Sequence, residues 1–419
     1  MKQIKYLIIG GGITGTTAAE TIRQNDKENG IIIISDEPYR FYSRIMLSKP
    51  AFFLGKIPFD KIWLKTEEWY QENNIELLAG RKAIKLDSKN KTVVLDNGEE
   101  INYEKMLLAV GGHSRELQIS GSDKNGVLYL RNLNDAKAIM ESVKTAKKAV
   151  IVGGGFVGFE MCEMMRMAGV EVDLVIREKK FWEGVLDEAG SEIVENSLQK
   201  NGVNIIRESE VSEITGAEKA DGIMLSVQGG SAVGGKNGKK ISADIVLVSI
   251  GVFCPYDWVR NAGIGVGRGI LANEYLETNI QNIWTAGDAA EFMDVITCEQ
   301  GYVGNWANAQ LQGKVAALNM IGERQPFKFV SFCNSSGFGL NIAFIGDFKV
   351  GENREIISAA SVADNLYRRL IIKNNKIIGA TLINKINEVT AIRQIIENSV
   401  DITDKKDRLK DINFINNAK

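Results

Sequence analysis

Two short glycine patterns, Gly10-x-Gly12-x-x-Gly15 and Gly153-x-Gly155-x-x-Gly158, have the spacing that bends a chain around a diphosphate. In each, the first glycine permits the tight turn. The second lets the backbone approach a pyrophosphate, and the third lets a helix pack on a strand. The helix that follows then aims its unpaired N–H groups at the phosphates. A carboxylate about twenty residues on is expected to bind ribose hydroxyls. Asp36 and Glu37 stand there in the first copy, at the end of the next apolar run. In the second copy that run ends Leu174-Val175-Ile176-Arg177-Glu178. Ile176 takes the place of an acidic residue, and Arg177 suits a 2′-phosphate. Glu178 is the alternative ribose ligand, so the expectation leans to NADPH and leaves NADH open.

The remaining reactive residues narrow the chemistry. Cys162, Cys254, Cys298 and Cys333 lie far apart, with no CxxC or CxxxxC pair. That argues against a disulfide framework, a cysteine-bound zinc or iron–sulfur centre, and a local dithiol. Each is expected to be a buried, inert thiol. His113 is the only histidine and follows AVGG, which suggests a solvated or structural imidazole. A catalytic triad or a histidine-rich metal centre would have to use it, and no metal site is expected.

The elements that must position these residues come as a repeat. KYLIIGGGITGTTAAETI recurs as KAVIVGGGFVGFEMCEMM, each with an apolar run before the glycines and a helical stretch after them. The runs Ile31–Ile34 and Val172–Ile176 close the two copies, so each reads as strand–turn–helix–strand. Between the copies, IELLAG, KAIKL and TVVLDNGEEI alternate like a meander, with Asn97-Gly98 as a hairpin turn. VNIIRES, GIMLSV and ADIVLVSIG follow the second copy, and GGSAVGGKNGKK (229–240) reads as a flexible loop between strands. Residues 302–321 carry Ala307, Leu311, Val315 and Leu318 at helical spacing. From about residue 326, FKFVSF, LNIAFIGDF and RRLIIKNNKIIGATLI read as strands, and NEVTAIRQIIENSV as a helix. The charged last fifteen or so residues are expected to fray.

Three motifs in order now resemble a known family. The first glycine pattern, the second, and Thr285-Ala286-Gly287-Asp288-Ala289-Ala290-Glu291 are similar to those of the two-dinucleotide flavoprotein reductases, the pyridine nucleotide-disulfide oxidoreductase superfamily. MLLAVGG (106–112) resembles that family's ATG segment, with Val110 in place of threonine. The resemblance covers about residues 4–322 and, more loosely, the rest. It implies an α/β protein of two Rossmann-like dinucleotide-binding domains, for FAD and NAD(P), plus a C-terminal α+β domain. The expected division is 1–114 and 249–322 for FAD, 115–248 for NAD(P), and 323–419 for the end domain. By resemblance Asp288 binds the FAD ribityl chain, and Ala109, Gly287 and Gly251 join the cofactor contacts. The segment from Asp36 to Lys49 resembles the DEPxxPYxRPxLSK stretch of rubredoxin and oxygenase-coupled ferredoxin reductases, with Phe41 and Ile45 in place of prolines. Disulfide reductases carry their cysteine pair hereabouts and a histidine acid late in the chain. This chain has no cysteine before Cys162 and no histidine after His113, which excludes dithiol chemistry.

The same resemblance implies a catalytic pair. Lys49 is placed near flavin N5, where a cation favours an electron-rich ring. Glu160, on the helix after the second glycine pattern, is expected to face the flavin and pair with Lys49. Arg44 is a candidate FAD-phosphate contact, and Trp306 and Gln312 belong to a helix reaching the pyrimidine side.

Composition supports the class. The chain has 419 residues, 44% of them hydrophobic and 25% charged, with net charge -2. These values fit a globular protein of several domains and carry no nucleic-acid or anionic-membrane signature. The opening MKQIKYLIIGGG enters a strand at once, so no signal peptide and a cytoplasmic location are expected. The function expected is an FAD-dependent NAD(P)H oxidoreductase that reduces a small one-electron carrier, rubredoxin- or ferredoxin-like, or a partner subunit. The alternatives are an NAD(P)H oxidase or quinone reductase, and a flavin redox sensor that does not turn over.

Overall fold

Uninterrupted apolar runs build the parallel strands, as expected where a sheet is covered on both faces. Tyr6 to Ile9, Ile31 to Ile34 and Met106 to Leu108 are all buried. The computed structural model describes residues 2–227 and 238–414. Residues 228–237, most of the Gly/Lys-rich segment, lie outside the described residues. The chain divides into two compact units. The first is Met1–Ser43, Asp60–His113 and Phe253–Phe332; the second is Arg44–Phe59, Ser114–Val252 and Cys333–Lys419.

In the first unit, strand Lys2–Ile9 pairs in parallel with Ile31–Ser35 on one side and Glu100–Leu108 on the other. Ile283–Thr285 adds in parallel to Glu100–Leu108. Ala83–Asp87, Thr92–Leu95 and Glu100–Leu108 form the expected antiparallel meander. Gly98 turns its hairpin at φ +83°. Ile75–Ala79 leaves that meander and instead pairs in parallel with Ile31–Ser35 at the opposite edge. Helix Ile13–Asn25 lies against helix Trp306–Ile321. The approach is close because Gly313 faces backbone: a Cβ there would stand 2.4 Å from the Thr14 carbonyl oxygen. The buried face of the longer helix is therefore small residues and amides, Asn308, Ala309, Gln312, Gly313 and Ala316, while Leu311 is exposed. The spacing identified the helix but not that face.

In the second unit, five parallel strands run in the order Val203–Ile206, Glu171–Val175, Lys148–Val152, Ile245–Val248, Val127–Leu128. Ser209–Thr215, Gly222–Val227 and Lys240–Ser242 add a small antiparallel sheet. A five-stranded sheet follows in the order Phe332–Gly337, Leu340–Gly346, Lys376–Ile383, Leu366–Lys373, Glu355–Ser361. Two departures from expectation occur here and just before it. FKFVSF forms no ladder until Phe332; Phe327 is buried, and its N–H donates to the Glu274 carbonyl at 2.7 Å. The tail does not fray as far as Phe414, because Leu409 and Phe414 are buried and Arg368 binds three of its carbonyls.

Candidate functional site

The first glycine turn sits at the carboxyl ends of parallel strands, where the strand order reverses between Lys2–Ile9 and Glu100–Leu108. Gly10 has φ +120°, and a Cβ there would stand 2.1 Å from the Ala109 carbonyl oxygen. A Cβ at Gly15 would be 1.9 Å from the Gly10 oxygen. Both glycines are thus demanded by the protein itself. Gly12 is different, since a Cβ there would meet nothing within 4 Å. It caps helix Ile13–Asn25 without any side-chain hydrogen bond. An open glycine before an uncapped helix start is what a diphosphate needs.

Across that turn, Gly287 has φ +81°, and a Cβ would stand 2.3 Å from Thr14 Oγ1. Its N–H donates to Gln312 Oε1 at 2.7 Å. Gln312 is fully buried, yet its Nε2 has no acceptor, and buried Asn308 Oδ1 has no donor. Orphaned buried amide atoms are costly unless a ligand meets them. With Gly12 they make the residues fit FAD. Asp288 is half-buried, and Glu37 accepts from the Tyr42 hydroxyl at 2.5 Å. Asp36 is exposed. Trp306 stacks on Phe41 with centroids 6.0 Å apart.

The second unit repeats the construction. Gly153 has φ +102°, and a Cβ would lie 2.3 Å from the Ser249 oxygen. A Cβ at Gly158 would be 2.2 Å from the Gly153 oxygen, while one at Gly155 meets nothing nearer than 3.8 Å. Gly155 caps helix Phe156–Met167 without a side chain. Gly251 is exposed at φ +101°, and its carbonyl accepts from the Arg115 N–H at 2.9 Å. Beyond the strand end, Ile176 is buried and Arg177 and Glu178 are exposed. Arg177 stands 3.9 Å from Glu210, a carboxylate that offsets the charge a 2′-phosphate would need.

Lys49 and Glu160 form the ion pair expected from sequence. Lys49 Nζ lies 2.6 Å from Glu160 Oε1, with the carboxylate side chain 10% exposed and the lysine 40%. A carboxylate so enclosed needs several donors. Two that sequence reasoning missed are the hydroxyls of Ser48 and Ser335, the latter at 3.2 Å. Ser48 was signalled only by its place beside Lys49; Ser335 lies 175 residues from Glu160 and had no local signal. Arg44 donates to the Arg131 carbonyl.

The thiols behave unequally. Burial alone pushes the Cys162 thiol far up, and burial with the Glu160 charge pushes Cys333 up to about 11. Cys254 Sγ donates to the Gly111 carbonyl. Only Cys162 is buried; Cys254 and Cys333 are half-buried and Cys298 is exposed, which corrects the expectation of four buried thiols. Cys298 holds φ +57° in the turn between Ala290–Asp294 and Glu299–Tyr302, where its side chain has no core to enter. His113 is exposed. Among the described residues no cluster of His, Cys, Asp and Glu could hold a metal, and no helix is long and apolar enough to cross a membrane.

A family model described as pyridine nucleotide-disulphide oxidoreductase matches residues 4–313, and one described as rubredoxin NAD+ reductase C-terminal domain matches residues 336–400. The chain is 30% identical to nitrite reductase [NAD(P)H] of Bacillus subtilis, over 96% of this chain and 48% of that protein. It is 28% identical to NADH-rubredoxin oxidoreductase of Clostridium acetobutylicum, over 95% of this chain and 96% of that one. A solved complex of putidaredoxin reductase with putidaredoxin shares the fold, with a TM-score of 0.89 at 23% identity over 100% of this chain and 99% of that chain. The chain spans about half the length of the first curated relatives it matches.

Proposed function

The chain belongs to the pyridine nucleotide-disulphide oxidoreductase family, and on that footing we propose that it oxidises NADH and passes the electrons, by way of FAD, to a small one-electron carrier protein. The observation that carries the proposal is the pair of open glycines, Gly12 and Gly155, each before an uncapped helix. Bound at the first of these turns, FAD supplies the conversion of a two-electron input into single-electron output. Gly10, Gly12 and Gly15 admit its diphosphate, Glu37 and Asp36 are the ribose ligands, and Asp288 the ribityl ligand. Gly153, Gly155 and Gly158 admit the nicotinamide dinucleotide. NADH is favoured over NADPH by the offset charge of Arg177 and by the relative whose name specifies NADH. We assign Lys49 to supplying positive charge to the flavin ring, and Ser48, Ser335 and Glu160 to holding that lysine. With no cysteine in the first 161 residues and no CxxC or CxxxxC pair in the sequence, no local dithiol relays the electrons. A rubredoxin- or ferredoxin-type acceptor follows, and a cytoplasmic site where NADH is replenished belongs to the same reading.

The test is steady-state turnover with NADH and a purified rubredoxin or ferredoxin. The account expects carrier reduction well above the rate of oxygen consumption. Equal or faster turnover with oxygen alone would favour an oxidase. One observation supports a second reading: this chain matches 48% of a nitrite reductase. It would then be the electron-input half of such an enzyme, and adding a cluster-bearing partner subunit, not rubredoxin, would accelerate NADH oxidation.

A further inference from the structure

Two adjacent arginines of strand Leu366–Lys373 are treated in opposite ways. Arg368, 1% exposed, donates to Glu388 at 3.2 Å and to the carbonyls of Leu409, Asp411 and Ile412. Arg369 points to the other face of the sheet, as neighbours in a strand must. It is 4% exposed, its side chain forms no ion pair among the described residues, and its Nε and Nη1 are buried without a partner. The fold therefore surrounds one buried guanidinium with four acceptors and leaves Nε and Nη1 of the next without one.

The surroundings of Arg369 are polar. Its cross-strand neighbours are Ser358 on one side and Thr381 on the other. Thr381 is 1% exposed and its hydroxyl is buried without a partner, while the buried Ser358 hydroxyl has the Tyr367 hydroxyl beside it. Tyr367, two residues before Arg369 and on the same face, brings its hydroxyl beside Ser358 and accepts from the Asp187 N–H at 3.3 Å. The Asp187 carboxylate caps Gly190 and forms no ion pair with Arg369. A buried, unpaired guanidinium is strongly unfavourable, and the unpaired Thr381 hydroxyl adds to the cost. A single anion would satisfy all of them, since each group can donate to an oxygen.

We propose that Arg369, Ser358, Thr381 and Tyr367 form a binding site for one small oxyanion of the phosphate class. None of these residues belongs to either glycine turn, so the site is additional to the dinucleotide sites. Its ligand would tie the sheet to the segment that begins helix Glu188–Lys200.

The test is the thermal midpoint of the FAD-loaded protein against inorganic phosphate, with chloride keeping ionic strength constant. Phosphate also stabilises proteins by exclusion, which raises the midpoint without saturating and does so in any variant. The proposal predicts an additional saturable rise of at least about 2 °C in the wild type. Arg369→Met should lack it, and Thr381→Val should need several-fold more phosphate. Flavin reduction by NADH should be unchanged in both. Without phosphate, Arg369→Met should be no less stable than the wild type, because it removes an unpaired charge. A wild type with no saturable rise, or the same rise in both variants, would overturn the proposal. If Arg369→Met fails to fold, Thr381→Val decides alone.

Discussion

Glu160 is enclosed while Lys49 keeps contact with solvent, so the pair holds a cation in place without neutralising it fully. If that cation promotes electron entry into the flavin, Lys49→Ala should slow anaerobic flavin reduction by NADH at least about tenfold, or roughly 1.4 kcal/mol of barrier. The amount of bound FAD should not change, and an unaltered rate would remove Lys49 from the mechanism. The thiols give a second check at this scale. Near pH 8 only the exposed Cys298 should react quickly with an alkylating reagent. Cys333, raised to about 11, should gain reactivity only as pH approaches that value, and Cys162 should react only on unfolding. Peptide mapping after timed labelling reads this order; early labelling of Cys162 would contradict it. Lys49 and Glu160 were legible in the sequence because each sits beside a motif. Ser335 was not, because its partner is fixed only by the folded chain.

Each glycine pattern divides its labour between protein and ligand, and substitutions separate the two. Gly15→Ala places a methyl group 1.9 Å from the Gly10 oxygen, so the helix must shift off its strand and the fold should lose stability. Gly12→Ala meets no protein atom, so the apoprotein should melt within about a degree of the wild type while its FAD content falls. Gly155→Ala should raise KM for NADH without changing bound FAD. Equal flavin content in wild type and Gly12→Ala would contradict the assignment. These turns, and the strands entering them, were legible because glycine spacing and unbroken apolar runs are local signals. The buried face of helix Trp306–Ile321 was not, because close approach to Thr14 selects Gly313 and Ala309 over Leu311. Strand Glu355–Ser361 was missed as well. Its edge position beside Leu366–Lys373 leaves Ile356 exposed, so hydrophobic alternation is weak.

For the whole molecule, residues 403–414 are part of the fold and not an appendage. Arg368 is buried against its carbonyls, and Lys385 donates to the Ile412 carbonyl at 2.8 Å. Ending the chain at residue 402 strands these donors, at roughly 1–3 kcal/mol each where they stay buried. The thermal midpoint should fall by several degrees, and an unchanged midpoint would show the contacts to be dispensable. Charge and length suggested fraying there because Leu409 and Phe414 are isolated apolar residues among charges. The proposed activity rests on the two repeated glycine turns in a chain whose sequence carries no CxxC or CxxxxC pair. The most direct test mixes FAD-loaded protein with NADH in an anaerobic stopped-flow instrument and then adds oxidised rubredoxin or ferredoxin. The account predicts rapid loss of the flavin absorbance, faster with NADH than with NADPH, and its return as the carrier is reduced. A protein that binds no flavin, or whose bound flavin keeps its colour under excess NADH, would contradict it.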